Sequence, residues 1–151
     1  MIAFFNSGGK DCKLAYELSG LKADIVITLV ENGKTWNHGT EPIGIPVEVN
    51  GNFLEAIERV VKEHKITKGI FGLINPVPDI YRIFRRNQAE LITPLLKWDR
   101  KKVIDEILKR GIKATIVSGE FKGEVITKEF INKHPDIDIC GEKGEYHTNA
   151  E

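Results

Sequence analysis

Ile2-Ala3-Phe4-Phe5-Asn6-Ser7-Gly8-Gly9-Lys10-Asp11-Cys12 is the stretch whose reading decides the fold. Ile2 to Phe5 is wholly apolar, as a parallel strand buried on both faces should be, and it stops abruptly at a polar, glycine-rich turn. Lys10 to Leu18 has helical character, and Gly20 is placed to close that helix in the left-handed conformation. Ile25 to Val30 then follows as a β-branched run suited to a second buried strand. The opening unit is therefore strand, glycine turn, helix, strand.

Working outward, residues 31–42, with Asn32, Gly33, Asn37, Gly39 and Pro42, are expected to form a long polar loop, and Pro46 to Val49 a short third strand. Asn52 is a good N-cap for a helix whose apolar face is Leu54, Ile57, Val60 and Val61 and which ends near His64. Gly69 to Ile74 returns to a strand. Asn75-Pro76-Val77-Pro78-Asp79 interrupts regular structure before a short helical stretch with Ile80, Ile83 and Phe84 on one side. Asp99 caps a further helix with Val103, Ile104, Ile107 and Leu108 inward and Gly111 at its end, and Ala114 to Val117 is the last expected strand. Strands alternating with helices imply an α/β fold: an open, mainly parallel sheet of about five strands with helices on both faces, in one domain over residues 1–151. In such sheets ligands bind outside the carboxyl ends of the strands, which is where the glycine turn lies.

Acidic and basic side chains balance at 22 each, so no overall basic field points to nucleic acid, and a nucleic-acid partner is not expected. Locally, Arg82, Arg85, Arg86, Lys97, Arg100, Lys101 and Lys102 make the middle of the chain basic, either as a solvated helix face or as a contact for phosphate or RNA. No apolar stretch approaches the roughly 20 residues of a membrane span, and the N-terminus turns polar too early for a signal peptide, so a cytoplasmic protein without a membrane partner is expected. Cys12 and Cys140 form no C-x-x-C pair, which fits a reducing compartment and gives no zinc signature. A homo-oligomer is compatible with the sequence.

The chemistry is concentrated in the glycine turn. Gly8 and Gly9 permit torsions and close approach that other residues resist, so backbone amides there and in the first helical turn can converge on an anion. Ser7 adds a hydroxyl, Lys10 a positive charge and Asp11 a carboxylate able to hold magnesium. The turn is not a Walker A loop, because Asp11 follows the lysine, and no G-x-G-x-x-G fingerprint is present. The plain alternative is a tight turn with a solvated Lys10 and an Asp11 favoured by the helix dipole.

Ser7-Gly8-Gly9-Lys10-Asp11-Cys12 resembles the S-G-G-K-D-S loop of the N-type ATP pyrophosphatases, with Cys12 where serine is usual. Farther on, Cys140-Gly141-Glu142-Lys143-Gly144-Glu145-Tyr146-His147-Thr148 resembles the C-G-E-x-G-E-[YF]-x-T signature of the diphthine–ammonia ligase branch of that superfamily. Between them the likeness continues through Ile43-Gly44-Ile45-Pro46, Lys68-Gly69-Ile70-Phe71-Gly72 and Thr93-Pro94-Leu95, while the segments before the first and after the second of these stretches are shorter than is usual for the branch. The resemblance implies an adenine-nucleotide alpha-hydrolase-like, Rossmann-like fold. It implies an ATP- and Mg²⁺-dependent ligase that adenylates the diphthine carboxylate of elongation factor 2 and amidates it with ammonium, releasing AMP and pyrophosphate. Ser7, Gly8, Gly9, Lys10, Asp11 and Cys12 would bind ATP, Asp11 would hold the metal, and Lys10, Asp11, Glu142 and Glu145 would be catalytic. Gly141, Glu142, Gly144, Glu145, Tyr146 and Thr148 would bind the acceptor.

Two other functions stay open on the residues alone: adenylation of another acceptor such as tRNA, and a nucleotide-binding module without catalysis. The absence of a C-x-x-C weighs against the first, and Cys12 together with the shortened middle suggests the second. Cys12, at a helix start beside Lys10, reads either as a stand-in for serine or as a reactive thiol. Tyr146 reads equally as a ring packed at the core edge, and His147 as a surface residue.

Overall fold

The computed structural model describes residues 1–36, 41–117, 120–134 and 148–150. In chain order the elements are β1 (Ile2–Phe5), α1 (Lys10–Ser19), β2 (Ile25–Glu31), β3 (Lys34–Thr35), β4 (Ile45–Glu48), α2 (Phe53–Glu63), β5 (Lys68–Ile70), α3 (Pro78–Arg86), β6 (Glu90–Ile92), α4 (Arg100–Lys109), β7 (Ala114–Ile116), α5 (Lys128–Lys133) and β8 (Thr148–Ala150). The fold is α/β with a mixed, mostly parallel sheet of six strands, and β7 and β8 pair in a separate two-stranded antiparallel sheet.

Five strands run parallel in the spatial order β4, β2, β1, β5, β6. The chain lays down β1, moves outward to β2 and β4, then returns to the other side of β1 for β5 and β6. The order therefore reverses between β1 and β5, and in open α/β sheets ligands bind outside the carboxyl ends of the strands at such a reversal. The sixth strand, β3, is antiparallel to β2. Val30 pairs with Thr35 on one edge and Glu48 on the other, and Ile27 likewise with Phe5 and Ile45. It follows that β3 occupies the β1 side of β2, beyond the end of β1.

Alternation along β1 divides the core between two faces. Phe4 stacks on Tyr16 of α1 at 4.5 Å, whereas Phe5 stacks on Phe71 at 4.3 Å and meets the edge of Phe84 from α3. On the first side Leu14 and Ala15 of α1 pack with Val103, Ile104 and Ile107 of α4 and with Ile116. On the second, Ile57, Val60 and Val61 of α2 pack with Ile80, Ile83 and Phe84 of α3 under Ala3 and Ile27. Each such aliphatic side chain removed from water stabilises the fold by roughly 1.5–3 kcal/mol. Gly69 is needed for this packing, because a Cβ there would lie 2.5 Å from the Phe84 ring.

The helix boundaries have local causes. The Asn52 and Asp99 side chains accept from Glu55 N at 3.2 Å and Lys101 N at 2.8 Å, caps worth about 1 kcal/mol each. Gly20 ends α1 at φ +66°. Glu58 on α2 receives both the Arg86 guanidinium, at 2.6 Å on each oxygen, and Asn87 Nδ2 at 2.9 Å, which fastens α2 to the end of α3. Those donors hold its carboxyl down at about 2, the Arg86 hydrogen bonds contributing most.

Three expectations need correction. Of the loop expected over residues 31–42, positions 37–40 lie outside the described residues, and Asn32 and Gly33, at φ +53° and +79°, make a tight turn that folds Lys34–Thr35 back on β2. The apolar run 69–74 leaves the sheet after Ile70, and Pro78 is the first residue of α3 rather than part of a break. Ala114–Ile116 is a strand but does not extend the parallel sheet, because it pairs with β8 near the end of the chain. Its place is taken by Glu90–Ile92 beside β5. No helix among the described residues is long and apolar enough to cross a membrane.

Candidate functional site

The glycine turn leaves the carboxyl end of β1, where the strand order reverses between β1 and β5, and its shape is set by residues that looked unremarkable in the sequence. Asn6 Oδ1 accepts the Gly8 N–H at 2.7 Å, curling the chain at the strand end, and Gly8 takes φ +89°. The Asn6 carbonyl in turn accepts the Thr28 hydroxyl at 2.9 Å, and Thr28 Oγ1 accepts Gly44 N–H at 2.9 Å. Thr28 is buried on β2. It therefore ties the turn after β1 to the segment entering β4, where a Cβ on Gly44 would lie 2.5 Å from the Val26 carbonyl oxygen.

Gly9 is the N-cap of α1 and supplies no side-chain cap. The cap comes instead from the far end of the chain: Lys10 N–H donates to Thr148 Oγ1 at 3.0 Å, and Ala150 N–H donates to the Gly8 carbonyl at 2.7 Å. Among the described residues nothing accepts the N–H groups of Gly9, Asp11 or Cys12. Unspent amides at the positive end of a helix dipole form a site for an anion.

Lys10 is 3% exposed, and its ammonium pairs with Asp11 Oδ1 at 2.9 Å. A lysine this enclosed is not the solvated side chain of a plain surface turn. Cys12 Sγ lies 3.4 Å from Ser7 Oγ. Burial pushes the Cys12 thiol above its ordinary range, outweighing hydrogen bonds from Ser7 and the Gly72 backbone that favour the thiolate. The sulfur is therefore protonated at neutral pH, as a serine substitute would be.

Gly72, just past β5, forms the opposite wall. A Cβ there would stand 2.8 Å from Cys12 N, 2.9 Å from Cys12 Cα and 3.0 Å from the Asp11 carbonyl carbon. The end of β5 thus approaches the first turn of α1 as closely as backbone allows.

Ser7, Gly8, Gly9, Lys10, Asp11 and Cys12 are brought together with Thr148; Gly141, Glu142, Gly144, Glu145 and Tyr146, with Cys140 and His147, lie outside the described residues. Asn6, Thr28, Gly44 and Gly72 were not singled out as site residues from the sequence. Only the close glycine contacts had a signal there, in the Gly44 and Gly72 of the quoted stretches. The basic cluster is partly spent on local pairs, Arg82 with Asp79 and Arg86 with Glu58. A groove of about 310 Å³ between α3 and β6, lined in part by Tyr81, Arg85 and Leu91, lies two strands away from β1.

The residues present fit a nucleotide with magnesium. The unspent amides and the buried ammonium suit phosphate oxygens, and magnesium commonly takes one or two carboxylates, completing its shell with phosphate and water. Asp11 supplies one such carboxylate; among the described residues no three His, Cys, Asp or Glu side chains gather into an all-protein metal cage. Neither a family model nor a curated protein matches the chain.

Proposed function

We propose that this chain is an ATP-dependent carboxylate–ammonia ligase with an adenine-nucleotide alpha-hydrolase-like, Rossmann-like fold, acting on the diphthine carboxylate of elongation factor 2. The observation that carries the ATP part is the placement of an amide-rich glycine turn with a buried Lys10 at the strand ends where the strand order reverses. The acceptor rests on the resemblance of residues 140–148 to the diphthine–ammonia ligase signature.

In this reading the amides of Gly9, Asp11 and Cys12 hold the phosphates, and Lys10 neutralises charge that develops on pyrophosphate as the α,β bond breaks. Magnesium, held through Asp11, would add Lewis-acid stabilisation of the same charge. The substrate carboxylate attacks the α-phosphorus, giving an acyl-adenylate and pyrophosphate. Ammonia then attacks the acyl carbon, AMP leaves, and Glu142 or Glu145 takes the proton from the incoming nitrogen. The hydrogen bonds that Asn6 accepts from Gly8 and Thr28 keep the turn in one shape before substrate arrives, so little reorganisation is left for the reaction.

Release of AMP and pyrophosphate, measured with diphthine-bearing elongation factor 2 and with or without ammonium, tests the proposal. Stoichiometric amide formation with both products is expected. Pyrophosphate release that ignores the factor would point to another acceptor such as tRNA, and nucleotide binding without turnover would leave only a binding module.

A further inference from the structure

Thr148 was expected from resemblance to serve the acceptor, yet its contacts are with the glycine turn. It is 6% exposed and sits on β8, which is held in register with β7 through the pairs Ile116 with Thr148, Thr115 with Asn149 and Ala114 with Ala150. Its hydroxyl oxygen accepts the Lys10 amide at 3.0 Å, and a Cβ on Gly9 would meet both Thr148 O and Oγ1 at 3.5 Å. A hydroxyl that accepts still has one proton to donate. Among the described residues nothing accepts that proton, although polar groups this deeply buried ordinarily find partners. The unspent donor lies beside the three unspent amides at the start of α1, where an anion is favoured.

Resting on the reading of the turn as a phosphate grip, we propose that Thr148 is a phosphate-binding residue whose hydroxyl takes the Lys10 N–H and donates its own proton to a phosphate oxygen of the bound nucleotide. Seating of β8 is then part of building the nucleotide site. The far end of the chain contributes to ATP binding as well as to the acceptor.

The test uses the full chain, with inorganic pyrophosphate and Mg·ATP as separate probes in calorimetric titrations of wild type, Thr148→Val and Thr148→Ser. A hydrogen bond to a charged oxygen corresponds to roughly ten- to a hundredfold in affinity. Thr148→Val should weaken both probes by that factor, and Thr148→Ser should restore binding to within a few-fold of wild type. If the valine variant does not melt cooperatively, Thr148→Ala against Thr148→Ser makes the same comparison. Wild-type affinity in the valine or alanine variant, or a serine variant as weak as either, overturns the assignment while leaving the ATP reading standing. A wild-type chain that binds neither probe removes both.

Discussion

Gly72→Ala probes the closest approach in the site with the smallest possible change. The added methyl would stand 2.8 Å from Cys12 N and 2.9 Å from Cys12 Cα, both backbone atoms of the first turn of α1. Comfortable contact needs about 3.5–4.0 Å, so the strand end and the helix start must separate by at least about half an ångström. No flexible side chain can absorb the clash. Overpacking of this kind costs about 1–3 kcal/mol, while the stiffer unfolded chain of an alanine variant returns about 0.4–1, leaving a net loss centred at about 1.3 kcal/mol and at most about 2.6. The same displacement carries the Asp11 and Cys12 amides away from the anion position, so ATP affinity should fall with stability. Gly20→Ala is the control: it places alanine at φ +66° with nothing within 4 Å, so it should lower stability through backbone strain without touching nucleotide affinity. Urea unfolding and ATP titration of both variants report the two quantities separately. Wild-type stability and affinity in Gly72→Ala would refute the close packing on which the site is built.

Cys12→Ser should retain nucleotide binding, and the wild-type thiol should alkylate slowly at neutral pH and faster as pH rises, because burial raises its pKa; rapid labelling at pH 7 would contradict this. Glu58 has its carboxyl lowered from 4.5 to about 2 in the folded chain, so its contribution is fully present above pH 4.5 and lost as pH falls through about 2. Wild type should therefore exceed Glu58→Gln in stability at pH 6, with the gap closing towards pH 2 in urea titrations; a gap independent of pH would count against the α2–α3 clamp. Glu142→Gln and Glu145→Gln should keep ATP binding but lower ammonium-dependent amide formation, by about 10²–10⁴-fold for the residue that takes the proton, and unchanged amidation in both would remove that role.

The opening unit and the starts of α2 and α4 were legible because the signals are local: the apolar run Ile2 to Phe5, the paired glycines and the Asn52 and Asp99 caps each act within a few residues. The Asn32-Gly33 hairpin was also written locally, since that dipeptide is a strong type I′ signal. It was hidden because only Lys34 and Thr35 pair back, too short a run to show alternation. Glu90–Ile92 escaped for the same reason. Ala114–Ile116 carries an apolar pattern that suits either sheet, and only its partner 148–150 decides between them. In the site, the loop residues were readable from composition. What holds them was not, because Thr28 acts across 22 residues on Asn6 and Thr148 across 138 on Lys10.

Calorimetric titration of Mg·ATP into wild type and Lys10→Met, each followed by competition with inorganic pyrophosphate, tests the phosphate grip most directly. Methionine keeps most of the buried stem of Lys10 and removes its ammonium together with the pair to Asp11. Wild type should bind ATP saturably and lose it to pyrophosphate, and the variant should melt cooperatively while binding at least about tenfold more weakly. Equal affinity in the two proteins, or ATP binding that pyrophosphate does not displace, would contradict it.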